Sequence, residues 1–340
     1  NTPAKAWSTS VTITDATNGN ANETMMIKAV TPVQPFSDFV SLSDLTPQSI
    51  RDVLNLAAYL KRRGRNSETP LRGRSVALLF EKPSLRTRST FEIGVHQLGG
   101  HAVYLGKDEV NLGVRETVAD VARNLERWVD MIVVRTFAHA RVLELASYAS
   151  VPVINALSDF EHPCQALADM LTLEEHLGTL AGSTLAYVGD GNNVTHSLLQ
   201  ASSALGMHMR IATPHGYEPD AGVVAQACEL AGQTGGSVFL SNSPIEAVQG
   251  AHAVYTDTWT SMGNESEHVK RLAAFDGFQV NANLMDQAMP HALFMHCLPA
   301  HRGEEVTDAV IDGPTSVVFD QAENRLHTQK ALMSSLVPAF

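Results

Sequence analysis

From residue 36 onward, short apolar runs alternate with longer stretches whose apolar residues recur at helical spacing. VALLF is followed by a helical stretch ending at Gly99-Gly100, and HAVYL comes next; MIVVR precedes ARVLELASYA, and VPVINA precedes PCQALADMLTLEEHLG. After LAGS a second series opens with TLAYV, the loop GDGNN, the helical VTHSLLQASSALG, MRIAT and a helix in DAGVVAQACELAG. SVFLS, AHAVYTD, ALFMH and SVVFD read as further strands, and AENRLHTQKALMSSLV reads as a closing helix. Strand and helix thus alternate twice over, which predicts an α/β fold of two parallel-sheet domains facing a shared cleft.

The break between the two series falls near Gly178 to Ser183, so the expected domains are 36–178 and 179–340. Ligands of open parallel sheets bind beyond the carboxyl ends of the strands, and chemistry is therefore expected in loops that follow strands. Residues 1–35 are of another kind: rich in Asn, Thr and Ala, without Arg, and without apolar periodicity. They read as a disordered extension.

Composition narrows the function classes. The chain has 340 residues, enough for a large core, and carries 36 acidic against 24 basic residues, a formal net charge of −12. Nucleic acid and anionic membranes demand a broad basic face, so neither is an expected partner, and any anion site must be local. Three widely spaced cysteines, Cys164, Cys228 and Cys297, suit a reducing compartment. The longest apolar runs, such as SVALLF and MIVV, are far short of the roughly 20 residues of a membrane span. The expected location is the cytoplasm, with an organelle matrix as the alternative if the extension is a processed targeting segment.

Against that acidic background, FEKPSLRTRSTFE places Lys82, Arg86 and Arg88 within seven positions directly after VALLF. Pro83 stiffens the approach, and Phe91, Val95 and Leu98 recur at helical spacing, so a helix is expected to start within SLRT. Its free N–H groups, the Ser84 and Thr87 hydroxyls and the Arg86 guanidinium could converge on one anion, with phosphate favoured. Taken alone, the same residues also fit solvated charges at a helix start with Ser84 as an ordinary cap.

Other stretches carry chemistry with bland alternatives beside them. In EHPCQ, Pro163 fits the first helical position, which puts His162 near the cap and Gln165 about one turn on. VGDGNNVTHS resembles a dinucleotide loop superficially, but Val194 stands where the third glycine belongs. His162, Cys164, His296, Cys297 and His301 lack the spacing of common structural zinc frames, and there is no Cys-x-x-Cys.

Taken together, SLRTR, HPCQ at 162–165, DTWTSMG at 257–263 and HCLP at 296–299 resemble the transcarbamylase family, specifically its ornithine branch, over about residues 36–337. The resemblance implies transfer of a carbamoyl group from carbamoyl phosphate to L-ornithine, giving L-citrulline and phosphate in arginine metabolism, with neither metal nor organic cofactor. It implies that Ser84, Leu85, Arg86 and Thr87 hold the phosphate, that Arg135 at the end of MIVVR reaches it, and that Arg325 completes the site from the closing helix. His162, with Arg135 and Thr87, would donate to the carbamoyl oxygen as charge builds there, and Gln165 would fix the carbamoyl nitrogen. Cys297 and Leu298 would lie beside the reacting groups, with Cys297 forming no covalent intermediate. Asn193 and Asp257 would hold the α-carboxylate and α-ammonium of ornithine, with Ser261 and Met262 on a segment that closes over it.

In the resembling enzymes a loop corresponding to DEVNLGVRE reaches a neighbouring subunit's site, which implies a homotrimer or a multiple of trimers. Those enzymes usually carry Gln where Asn111 stands; Asn keeps the amide but is one methylene shorter. Arg115 is the basic residue of the same loop. Two rival readings remain: a transcarbamylase for another amine such as putrescine or aspartate, and a non-catalytic paralogue that only binds. Loss of Arg86, Arg135, His162 or Asp257 would mark such a paralogue, and none is lost.

Overall fold

The computed structural model describes residues 36–64, 68–260 and 265–337. The expected extension at 1–35, and Ser261 and Met262, lie outside the described residues.

The first four strands, β1 (Ser75–Phe80), β2 (His101–Gly106), β3 (Met131–Arg135) and β4 (Val153–Leu157), form a parallel sheet in the order β2-β1-β3-β4. Five more, β5 (Thr184–Val188), β6 (His208–Ala212), β7 (Ser237–Ser241), β8 (Ala253–Thr256) and β9 (Leu293–His296), form a second parallel sheet in the order β7-β6-β5-β8-β9. Central strands β1, β3, β5 and β8 are buried almost throughout, which is why they read as unbroken apolar runs. Each sheet reverses its strand order once, between β1 and β3 in the first and between β5 and β8 in the second. At such a reversal the loops leaving the two central strands diverge and leave a crevice at their carboxyl ends.

One helix ties the sheets together. Pro163–Leu177 begins with Pro at its first position and is buried on every side from Pro163 to Leu173. The 19-residue helix Val318–Leu336 returns from the second sheet to pack on it and on helices Pro47–Arg63 and Leu85–Gln97. One apolar core therefore runs from Leu78 and Phe91 through Leu167 and Leu332 to Leu198 and Met209.

One expected strand is corrected. SVVFD makes only an isolated bridge, Ser316 with Phe294, and helix begins at Val318. Val317 donates to the Phe294 carbonyl at 3.0 Å, after which the long helical run takes over. The β-branched pair was a strand signal, but Val318 is better buried as the first residue of a helix packed on three others.

Candidate functional site

The loop after β1 and the end of β3 build the first half of the site. Ser84 is the N-cap of helix Leu85–Gln97, its hydroxyl accepting from the Thr87 N–H at 3.1 Å, so the remaining first-turn N–H groups of this helix are left for a ligand in the crevice between β1 and β3. Leu85 is 77% exposed and can contribute its N–H but not a packed side chain. Thr87 is buried, and its hydroxyl oxygen accepts from Arg325 at 3.0 Å and from Arg135 at 3.4 Å. Arg325 also donates to Gln165 Oε1 at 2.5 Å, which brings the closing helix into contact with the HPCQ segment.

These cations have no salt-bridge partner among the described residues, and the carboxylates of Asp257 and Asp169 reach Arg86 and Arg325 only at longer range. Among the described residues, neither Arg86, Arg135 nor Arg325 is ion-paired, and Glu81, which follows β1, is engaged by Arg141 at 2.8 Å instead. Burial, with Arg325 and Arg86 alongside, pushes Arg135 down to about 10, still charged at neutral pH. Burial also lowers Arg86 and Arg325. Nε of both Arg135 and Arg325 is buried without a partner. Converging buried guanidinium groups with spare donors form a site that a multiply charged oxyanion would satisfy.

His162 stands at the N-cap of Pro163–Leu177, but its side chain makes no capping bond. Its backbone N–H donates to Ser197 Oγ at 2.9 Å, and its Nδ1 is buried and unpartnered. Burial first, then Arg325 and Arg135, hold the imidazole well below its ordinary range, so it is neutral. A neutral ring brings one N–H donor without adding charge to the cluster.

The second half lies at the other reversal. Gly189 to Asn192 follow β5, and Asn192 caps helix Asn193–Ala204 by accepting from the N–H groups of Val194 and Thr195. Gly191 is required by space: a Cβ there would fall 2.2 Å from the Pro219 nitrogen and 2.4 Å from the Glu218 carbonyl carbon. Gly191→Ala is therefore expected to destabilise the protein by about 2 kcal/mol or more, read as a lowered Tm in thermal unfolding; an unchanged Tm would contradict this packing.

Asp257, directly after β8, accepts from Asn192 Nδ2 at 2.9 Å, from the Thr258 N–H at 2.8 Å and from the Cys297 thiol at 3.0 Å. Burial, then Asp257, keep Cys297 well above its ordinary range, so it is a thiol and no nucleophile. Asn193 donates one amide hydrogen to the Ser158 carbonyl at 2.7 Å, keeping the other available. Leu298 has φ +58°, and its N–H donates to His296 Nδ1 at 2.8 Å. His296 therefore carries its proton on Nε2 and donates to buried Glu305 at 3.1 Å.

The two halves face one another, since Arg86 of the first lies within electrostatic reach of Asp257 and Cys297 of the second. Asp257, His296 and Cys297 also bring possible metal-ligand atoms within 4.8 Å of one another. Both His296 nitrogens are engaged and the thiol is held protonated, so a cation would have to break three existing bonds.

Of the residues expected from sequence, Thr87, Arg135, His162, Gln165 and Arg325 meet in one bonded or electrostatically coupled cluster. Asp257, Cys297 and, through Asn192, the turn bearing Asn193 meet in the other. Asn111 is not joined to either. It ends helix Lys107–Val110 at φ +44°, and its backbone bonds stay within its own loop. Asn192, Asp169 and Gln321 were not foreseen from sequence. Two signals could have found the last two: Asp169 is four residues after Gln165, and Gln321 four before Arg325, the spacing that puts helical side chains on one face.

Residues 37–175 match the family model described as the aspartate/ornithine carbamoyltransferase carbamoyl-P binding domain, and residues 181–336 match that of the Asp/Orn binding domain. The chain belongs to the aspartate/ornithine carbamoyltransferase family. Ornithine carbamoyltransferase of Anoxybacillus flavithermus is 52% identical over 302 residues, 88% of this chain and 96% of its own length. That of Thermus thermophilus is 53% identical over 300 residues, covering 88% and 96% respectively. The solved structure of ornithine carbamoyltransferase from Pyrococcus furiosus superposes with a TM-score of 0.87 at 50% identity, covering 89% of this chain and 97% of that one. In this carbamoyltransferase-family chain, the first matched domain ends within the helix that carries His162 and Gln165, and the second begins just before β5.

Proposed function

We infer that the protein transfers the carbamoyl group of carbamoyl phosphate to the side-chain amine of L-ornithine, giving L-citrulline and phosphate. The observation that carries this reading is the pairing of a guanidinium cluster that makes no ion pair among the described residues with a facing carboxylate and amide pair, one at each sheet's reversal. The first suits a phosphate donor, and the second suits an amino acid.

In this reading the Ser84–Thr87 turn and Arg86 hold the phosphate, while Arg135, Thr87 and His162 surround the carbamoyl oxygen. Attack by the neutral amine forms the new C–N bond and moves charge onto that oxygen; the C–O bond to phosphate then breaks with its electron pair leaving on the phosphate, which also takes the proton the new nitrogen centre gives up. Donors already fixed there stabilise this charge without reorganising. Asp257 keeps acceptor capacity beyond its three present donors and takes the α-ammonium, and the free amide hydrogen of Asn193 takes the α-carboxylate. Citrulline formation with ornithine, putrescine and aspartate offered separately tests the assignment; turnover of putrescine or aspartate in preference would replace it.

His162→Ala is expected to fold and still bind carbamoyl phosphate while losing roughly 10² to 10³ in kcat, the effect of one oxyanion donor. Steady-state kinetics with calorimetric donor binding checks this, and an unchanged kcat would reduce His162 to a residue that starts a helix.

We further propose a homotrimer in which the loop around Asn111 serves a neighbouring subunit's site. Its separation from both clusters of its own chain supports this. A purified enzyme that sediments as an active 36.7 kDa monomer would overturn it.

A further inference from the structure

The two half-sites are joined through the interior by a chain of hydrogen bonds. Asp169, fully buried and one turn beyond Gln165, receives on its Oδ1 the amide donors of Gln165 and Gln321, each at 2.7 Å. Gln165 Oε1 in turn accepts from Arg325 at 2.5 Å, and Gln321 Oε1 accepts from the backbone N–H of His296 at 3.0 Å, one residue before Cys297. We propose that Asp169 and Gln321 are positioning residues for the transfer reaction: Asp169 sets the orientation of the Gln165 amide beside the carbamoyl group, and Gln321 fixes the His296–Leu298 turn beside the attacking amine. This rests on the carbamoyl-transfer reading for the roles of Gln165 and Cys297.

Each amide is orientated from both ends. If the Gln165 amide flipped, its oxygen would face the Asp169 acceptor and its NH2 would face the Arg325 donors, two mismatches in a dry interior. Gln321 is held the same way, because a backbone N–H can only donate and Asp169 Oδ1 accepts. Burial pushes Asp169 up to about 7, yet Oδ1 accepts in either protonation state. Asp169 Oδ2 is buried, with no donor at hydrogen-bond distance among the described residues and the Tyr255 hydroxyl beside the carboxyl, so one oxygen serves both amides. Leucine has a similar volume but no acceptor; asparagine keeps one.

The test uses purified full-length enzyme, varying carbamoyl phosphate and ornithine independently and following citrulline. Asp169→Leu is expected to raise the KM for carbamoyl phosphate about tenfold or more, the consequence of unpairing a buried amide, and Asp169→Asn to recover most of that loss. Gln321→Leu is expected to leave the KM for carbamoyl phosphate within about twofold of wild type while raising that for ornithine about tenfold. Combining Asp169→Leu with Gln165→Leu should add little to Gln165→Leu alone, since both act through one amide.

Wild-type KM values in Asp169→Leu, or equal effects of Gln321→Leu on both substrates, would overturn the proposal while leaving carbamoyl transfer in place. A wild-type enzyme that makes no citrulline would defeat the transfer reading and this inference with it. If Asp169→Leu fails to fold, the substrate split of Gln321→Leu decides: ornithine alone supports the proposal, and both or neither refutes it.

Discussion

Arg86→Ala is expected to nearly abolish turnover, with the loss appearing first in carbamoyl phosphate binding. Arg86 lies in the first turn of a helix whose N-terminal N–H groups converge on the crevice between β1 and β3. It is partly desolvated, which lowers its pKa but leaves it charged, and it makes no ion pair among the described residues, Asp257 acting on it only across the cleft. Its charge is therefore available to a ligand anion. Removing one member of a desolvated charge pair costs about 2 to 5 kcal/mol, so binding should weaken by a factor between about 30 and a few thousand. Arg135 and Arg325 cannot replace it, because both already reach in from other elements and both donate to Thr87. Calorimetric titration with carbamoyl phosphate reads the effect directly; an unchanged Kd would remove the phosphate role from this helix start.

Much of this arrangement was legible before any coordinates. The strands that build both crevices read as unbroken apolar runs because they are buried on both faces, and Ser84, His162 and Asn193 read as lying at or beside helix starts because Pro163 and the helical periodicities fixed those starts. What periodicity could not supply was which loops meet. Arg325 is 238 residues from Thr87, yet their 3.0 Å contact follows from the closing helix crossing back to the first sheet. The same return hides Gln321 and Asp169, which look in sequence like ordinary polar residues on amphipathic helices. They are buried only because two helices from opposite ends of the fold press their polar positions together. SVVFD failed for the converse reason: local β-propensity yielded to the burial available to a helix start.

Substrate choice depends most on Asp257. Ornithine carries an α-carboxylate, an α-ammonium and a side-chain ammonium, whereas putrescine lacks both α substituents. Asp257 is buried at the carboxyl end of β8, and its three donors are an amide, a backbone N–H and a thiol, none of them a cation. Among the described residues this carboxylate has no ion-pair partner, only the more distant field of Arg86, and the α-ammonium would supply one. Asp257→Asn keeps the shape and removes the charge; it also puts an NH2 group where one of two sets of donors now points, so Asn192 or the Thr258 and Cys297 pair must give way. Ornithine kcat/KM is expected to fall by about 2 to 5 kcal/mol in transition-state terms, between about 30-fold and a few thousand-fold, while any putrescine turnover should change far less. Parallel kinetics on the two amines measures that difference. Equal losses on both would mean that Asp257 only shapes the turn through Asn192 and Cys297, and unchanged ornithine kinetics would move the α-ammonium site elsewhere while leaving carbamoyl transfer standing.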